Sequence, residues 1–196
     1  MSVTTREIAA RQNQFVAQAA SIRLIAAIAD GLTALRLIAA MVLLVFAWSG
    51  IWQGVAVTLT VAWLSDFLDG RMARQANGLT KLGPFDLPAD TAVGAGLLIG
   101  LIGAGEIPAW LGIGALVLFG AVYAAGNLAA SMLLQLSGFL PTLWVLWRYR
   151  PPAWWLPVVT ALGIAILDWE QLMKVNIPGF IRGITGHFDR AVQRGD

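Results

Sequence analysis

The chain has 196 residues, 58% of them hydrophobic and 12% charged, with a formal net charge of +2 and a mean hydropathy of +0.73. Soluble domains run about 45–50% apolar and about 25% charged, so the composition excludes a disordered chain, a fibrous one and an ordinary soluble domain. The absence of Cys and the single His, His187, exclude disulfides, thiol chemistry, zinc thiolate centres and His-based metal clusters, and the small net charge gives no footing for nucleic acid.

No signal-peptide pattern is read at the start. Residues 1–30 mix Arg6, Glu7, Arg11, Gln18 and Arg23 with Ile8, Phe15, Ile22 and Leu24, and Thr4 with Glu7 has capping-box spacing. They read as an amphipathic helix at the membrane interface, basic on its wet side. Residues 31–170 then read as six spans, each needing about 20 apolar residues. The first runs from Leu35 to Trp48. The second runs from Val55 to Phe67 and ends among Asp66, Asp69, Arg71 and Arg74. A polar stretch from Gln75 to Pro88, broken by Gly83 and Pro84, leads into a third span from Asp86 to Gly103.

Glu106 and Pro108 mark a turn, and the apolar run from Ala109 to Trp147 is too long for one span, so it divides near Gly126–Asn127 into the fourth and fifth. Arg148-Tyr149-Arg150-Pro151-Pro152 is a turn, because paired prolines end a helix. Trp154 to Leu167 is the sixth span. Asp168 and Glu170 close it as solvated charges, and residues 171–196, with Lys174, Arg182, His187, Arg190 and Arg194, form an interfacial or cytoplasmic tail. The expected fold class is an all-α membrane protein, a six-transmembrane-helix bundle preceded by the interfacial helix. Gly94, Gly96, Gly100 and Gly103 read as helix-packing residues. With both termini inside, only Arg148 and Arg150 of the 13 Lys and Arg residues fall outside, which satisfies the positive-inside rule and leaves that turn as its one blemish.

Carboxylates in membrane spans are costly and point to function. Asp66 and Asp69 share a face of the second helix with Gly70, Ala73 and Arg74, and Asp86 and Asp90, four apart, share a face of the third. Packed antiparallel, the two helices bring four carboxylates together, the oxygen donor set that Mg²⁺, Mn²⁺ or Ca²⁺ prefers, with positions left for substrate phosphates. Gly70 and Ala73 leave room for a headgroup, and Arg74 can grip a phosphate.

Asp66-x-x-Asp69-Gly70-x-x-Ala73-Arg74, eight residues, Gly83, then Asp86-x-x-x-Asp90 resembles the signature of the CDP-alcohol phosphatidyltransferase family. Upstream, Gly31-Leu32-Thr33-x-x-Arg36 resembles that family's Asn-x-x-Thr-x-x-Arg element. Two departures stand out. Only Pro84-Phe85 separates Gly83 from Asp86 where the family has three residues, and Asp30-Gly31 stands where it often has Pro-Asn.

The resemblance implies transfer of a phosphatidyl group from CDP-diacylglycerol to an alcohol, with release of CMP. It implies that Asp66, Asp69, Asp86 and Asp90 hold two Mg²⁺ or Mn²⁺ ions and that Asp90 is the general base. Thr33, Arg36, Asp69, Gly70, Ala73, Arg74 and Thr80 would bind the CDP group. It further implies a homodimer in a bacterial inner membrane with the active site facing the cytoplasm. The acceptor stays open. Glycerol 3-phosphate transfer is widespread among bacterial members, yet spans four and five offer only Asn127, Ser131, Gln135 and Ser137, which favours an unphosphorylated alcohol unless Lys81, Lys174 or Arg182 folds over the site. A divalent-cation transporter or a catalytically inactive scaffold of the same fold is the alternative.

Overall fold

Turn chemistry sets the helix boundaries. The computed structural model describes residues 5–76, 79–171, 173–174 and 177–178. Its elements are α1 (Thr5–Trp48), α2 (Trp52–Gln75), a 3-10 turn (Gly83–Phe85), α3 (Asp86–Gly103), α4 (Ala109–Ala124), α5 (Leu128–Tyr149), α6 (Leu156–Leu167) and the short α7 (Trp169–Gln171). No strand occurs among the described residues. The expected division of the long apolar run is found: Gly126 adopts φ +91°, and Asn127 caps α5 by accepting the Ala129 N–H at 2.9 Å. At the other end of α5, Arg150 takes a left-handed φ of 45° before the paired prolines.

The first boundary differs from expectation. A single helix runs through residues 28–35, where the sequence reading separates an interfacial helix from the first span, and Asp30 and Gly31 lie inside it. The amphipathic pattern expected of residues 1–30 rests largely on side chains outside the described residues, as do Arg182, His187, Arg190 and Arg194 of the tail. Three helical stretches are long and apolar enough to cross a membrane: Ala20–Trp48, Gly83–Gly103 and Ala129–Tyr149. The apolar helices α4 and α6 are shorter, at 16 and 12 residues. They are about 24 and 18 Å long at ~1.5 Å per residue, against a hydrocarbon core of about 30 Å.

Helix α1 packs against both α2 and α3, with Leu43, Val55, Leu59 and Leu97 fully buried among them. Lipid-immersed helices gain little from the hydrophobic effect and associate through close van der Waals packing at small residues. Gly96 and Gly100 provide it here: a Cβ on Gly96 would lie 2.7 Å from the Ala40 carbonyl oxygen, and one on Gly100 would lie 2.5 Å from Ala47 Cβ. Helix α5 crosses α3 in the same way, since a Cβ on Gly138 would meet the Gly94 carbonyl oxygen at 2.2 Å. The outer faces are apolar and exposed, at Trp110, Val117 and Ile166 among others, as a lipid-facing surface requires.

The Arg148–Arg150 turn is partly neutralised. Arg148 lies 3.6 Å from Glu106, Tyr149 donates its hydroxyl to the same carboxylate at 2.7 Å, and Arg150 sits over the Trp147 ring. Asp168 is not merely solvated as expected; it pairs with Arg71 at 3.2 Å and ties the end of α6 to α2. Glu170 lies 3.4 Å from Lys174, although both of those side chains reach solvent.

Candidate active site

The last turns of α2 carry Asp66 and Asp69, and the first turns of α3 carry Asp86 and Asp90. The spacings of three and four residues place each pair on one helix face. The two helices bring carboxylate oxygens of Asp66, Asp69 and Asp86 within 4.8 Å of one another. At about 5 Å and an effective dielectric of about 20, each pair of like charges repels by about 3 kcal/mol. Such a group needs a cation.

Helix α1 supplies one. Arg36, 1% exposed, donates from Nη1 to Asp66 and Asp90 and from Nη2 to Asp69 and Asp86. Asp90 thereby joins the other three acids. One turn earlier, the Thr33 hydroxyl lies 3.1 Å from Asp69 Oδ2 and 3.3 Å from the Ala29 carbonyl, so its single proton serves one or the other. The sequence reading gives Thr33 and Arg36 to the nucleotide; in the structure both also hold the acids.

One positive charge among four negative ones leaves a deficit. Asp69 Oδ1 is buried with no hydrogen-bond partner, and so is Arg36 Nε. A buried carboxylate oxygen without a donor is costly, and an all-oxygen donor set beside it is what a hard divalent cation takes. The residues present therefore fit a hard divalent cation, with Asp66, Asp69 and Asp86 as its carboxylate donors.

Two cavities flank the acids and share no lining residue. One, of about 140 Å³, is bordered by Arg36, Trp63, Asp66, Asp90, Gln135 and Phe139. The other, of about 90 Å³, is bordered by Thr33, Asp69, Ala73, Thr80, Gly83 and Asp86. Four of the seven residues assigned to CDP binding from sequence (Thr33, Asp69, Ala73 and Thr80) thus meet at one place. Arg36 lines the first cavity instead. Gly70 and Arg74 line neither, although a Cβ on Gly70 would meet nothing but Arg74 Nη1, at 3.8 Å, so that face of α2 is open.

The loop from α2 to α3 is held by Asp30, whose carboxylate accepts the backbone N–H groups of Lys81 at 3.1 Å and Leu82 at 2.8 Å. Counting back three from Thr33, Asp30 and not Gly31 occupies the position of the Asn in the Asn-x-x-Thr-x-x-Arg element. The shortened loop is absorbed by the 3-10 turn, which passes directly into α3 at Asp86. Gly83 packs closely there, since a Cβ would stand 2.9 Å from Thr80 Oγ1 and would displace that hydroxyl. Sequence reading missed the Asp30 clamp and the aromatic walls Trp63 and Phe139. Gln135, a lone amide in an apolar stretch, was the available signal for the cavity they line. A larger, apolar cavity of about 720 Å³ lies among α3, α4 and α5 near Leu98, Ile107, Leu111 and Phe119, away from the acids.

A protein-family model described as CDP-alcohol phosphatidyltransferase matches residues 26–168. This range includes α2 through α6 and all four acids. No curated protein and no solved structure gives a significant match.

Proposed function

Because the chain belongs to the CDP-alcohol phosphatidyltransferase family, an integral membrane transferase family of phospholipid synthesis, we propose that it moves a phosphatidyl group from CDP-diacylglycerol to an alcohol and releases CMP. The observation that carries this reading is the convergence of Asp66, Asp69, Asp86 and Asp90 around Arg36, between two separate cavities. Glycerol 3-phosphate and an unphosphorylated alcohol are the candidate acceptors.

Asp66, Asp69, Asp86 and Asp90 would hold two divalent ions, Mg²⁺ or Mn²⁺. When bound, the ions stabilise negative charge on the transferring and leaving phosphates. The acceptor oxygen forms a bond to the phosphorus that bears diacylglycerol, and the bond from that phosphorus to the CMP oxygen breaks. Asp90 takes the acceptor's proton as general base. Thr33, Asp69, Ala73 and Thr80 line the cavity assigned to the CDP phosphates, with Gly70 leaving its approach open. Arg36 and Arg74 add positive charge, Arg74 from the exposed end of α2. Six helices would cross the bilayer, with the acids at the cytoplasmic face and the protein a homodimer in a bacterial inner membrane.

Purified protein supplied with CDP-diacylglycerol and a panel of alcohols should release CMP only with Mg²⁺ or Mn²⁺ and stop on chelation. Asp90→Asn should lower the rate at least about 10³-fold while gel filtration and helical circular dichroism stay unchanged. Turnover that survives chelation, or a fully active Asp90→Asn variant, refutes the roles assigned. A transporter or an inactive scaffold would release no CMP under any condition.

A further inference from the structure

The apolar cavity among α3, α4 and α5 has one polar end. Its volume is about 720 Å³, within the range of about 300–1,000 Å³ typical of ligand sites. Leu98, Leu111 and Phe119 form apolar walls, and Gly114 leaves the space between them open, since a Cβ there would meet no atom within 4 Å. Ser137 also lines the cavity, but its hydroxyl is spent on the Leu134 carbonyl of its own helix at 2.6 Å. From Pro108 to Phe119 the wall runs about 16 Å at ~1.5 Å per residue, about half of a hydrocarbon core of about 30 Å. That is the depth of one leaflet. It is the leaflet opposite the acids, because Glu106 and Pro108 follow the end of α3 whose other end carries Asp86.

The mouth of the cavity lies at headgroup level. Trp110, on its rim, is 76% exposed, and Trp144 and Trp147 pair at 5.1 Å at the same end of the bundle; such rings settle at a membrane interface. Glu106 lines the mouth and is matched: Arg148 lies 3.6 Å from it, and the Tyr149 hydroxyl donates to it. Arg150 is not matched. It lies exposed over the Trp147 ring at 5.6 Å and forms no ion pair among the described residues. Glu106, Arg148 and Arg150 thus leave a surplus of one positive charge, and the Arg148 side chain, 62% exposed, keeps further N–H donors toward solvent. A second copy docked here about a twofold axis would bring its own surplus arginine to this depth, whereas a phosphate would neutralise the one already there.

We infer that this cavity is a binding site for an anionic phospholipid of the leaflet opposite the acids. An acyl chain fills the space beside Gly114 and Leu118, and the headgroup phosphate rests on Arg148 and Arg150. An arginine fork can hold two phosphate oxygens at once, and basic pockets between membrane helices favour anionic headgroups. The site is remote from Asp66, Asp69, Asp86 and Asp90 and stands independently of the transferase reading.

The test is native mass spectrometry of the purified full chain in mild detergent, incubated with equal amounts of phosphatidylglycerol and phosphatidylethanolamine. One phosphatidylglycerol per chain should be retained, at least about fivefold over phosphatidylethanolamine. Gly114→Phe, which places a ring in the open space, should lower retention about tenfold while helical circular dichroism stays unchanged. Leu118→Trp, at the exposed rim, gives the same readout if the first variant does not fold. Arg150→Gln should still retain lipid but with the preference reduced to within about twofold. Removal of divalent ions with EDTA should leave retention unchanged, which separates this lipid from one held at the acids. No retained phospholipid, retention unchanged in both filled variants, an anionic preference untouched by Arg150→Gln, or retention lost in EDTA each overturns the inference. Loss of a dimer in place of a lipid in the filled variants would show that a second copy covers the groove and overturns it as well.

Discussion

Arg36 holds four carboxylates with two nitrogens. Its planar fork suits that task, whereas a lysine ammonium is a single point charge on a flexible stem. Removing one partner of a buried ionic group costs about 3–5 kcal/mol, because the remaining charge stays buried and unpaired. Asp69 is the acid most exposed to that penalty, as it is 2% exposed while the other three reach solvent more. Arg36→Met should therefore lower Tm in chelator, a loss of about 3 kcal/mol, with Arg36→Lys intermediate. Added Mg²⁺ should recover more in Arg36→Met than in the parent chain, since a ligand at about 100 times its Kd stabilises by about 2.7 kcal/mol. Thermal shifts with and without Mg²⁺ measure this, and equal shifts in both proteins would reject it.

At the scale of helices and loops, two contacts decide where the acids stand. Asp30 fastens the loop that precedes α3, and hydrogen bonds to a charged acceptor contribute about 1.5–3 kcal/mol, less where solvent reaches them. Asp30→Ala should cost about 1 kcal/mol and about tenfold in kcat/KM for CDP-diacylglycerol, with Asp30→Asn recovering part of the loss; steady-state kinetics of the two variants is the measurement. Gly138→Ala should be more damaging. Its Cβ would meet backbone of α3 at 2.2 Å, so the helices must separate, and overpacking of this kind costs about 1–3 kcal/mol. A lower Tm, read by thermal unfolding, is the expected effect.

Much at this scale was legible in the sequence. Gly126 and Pro151-Pro152 follow helix ends and Pro108 and Asn127 precede helix starts, each through its own local chemistry, and the spacing of the four acids places each pair on a face without knowledge of any neighbour. The remainder depended on how helices approach one another. The rotation of α1 that aims Arg36 into the acids follows from its contacts with Gly96 and Gly100, which a single chain read in order does not reveal. The sequence divides two helices at Asp30-Gly31, yet α1 continues through that pair, and the Asp30 carboxylate binds a loop some fifty positions away. Trp63 and Phe139 read as ordinary membrane aromatics until α2 and α5 are seen together.

Across the whole molecule the two ends differ in character. The acids, Arg74 and Lys81 gather at one end, while Arg148 and Arg150 stand at the other, Arg148 paired with Glu106 and Arg150 over the Trp147 ring. The chain has no Cys, so single-cysteine variants report topology directly. Lys81→Cys should react with an impermeant maleimide only from the cytoplasmic side, and Pro152→Cys only from the opposite side. Labelling of both from one side would refute the arrangement.

The separation of the two cavities by the acids has a kinetic meaning. Were the proposed transfer to use one cavity for each substrate, donor and acceptor would be resident together, and the phosphorus would pass between them in one displacement, with no covalently loaded protein in between. Initial-rate plots at varied concentrations of both substrates would then intersect rather than run parallel, and a chiral phosphorus would emerge with inverted configuration.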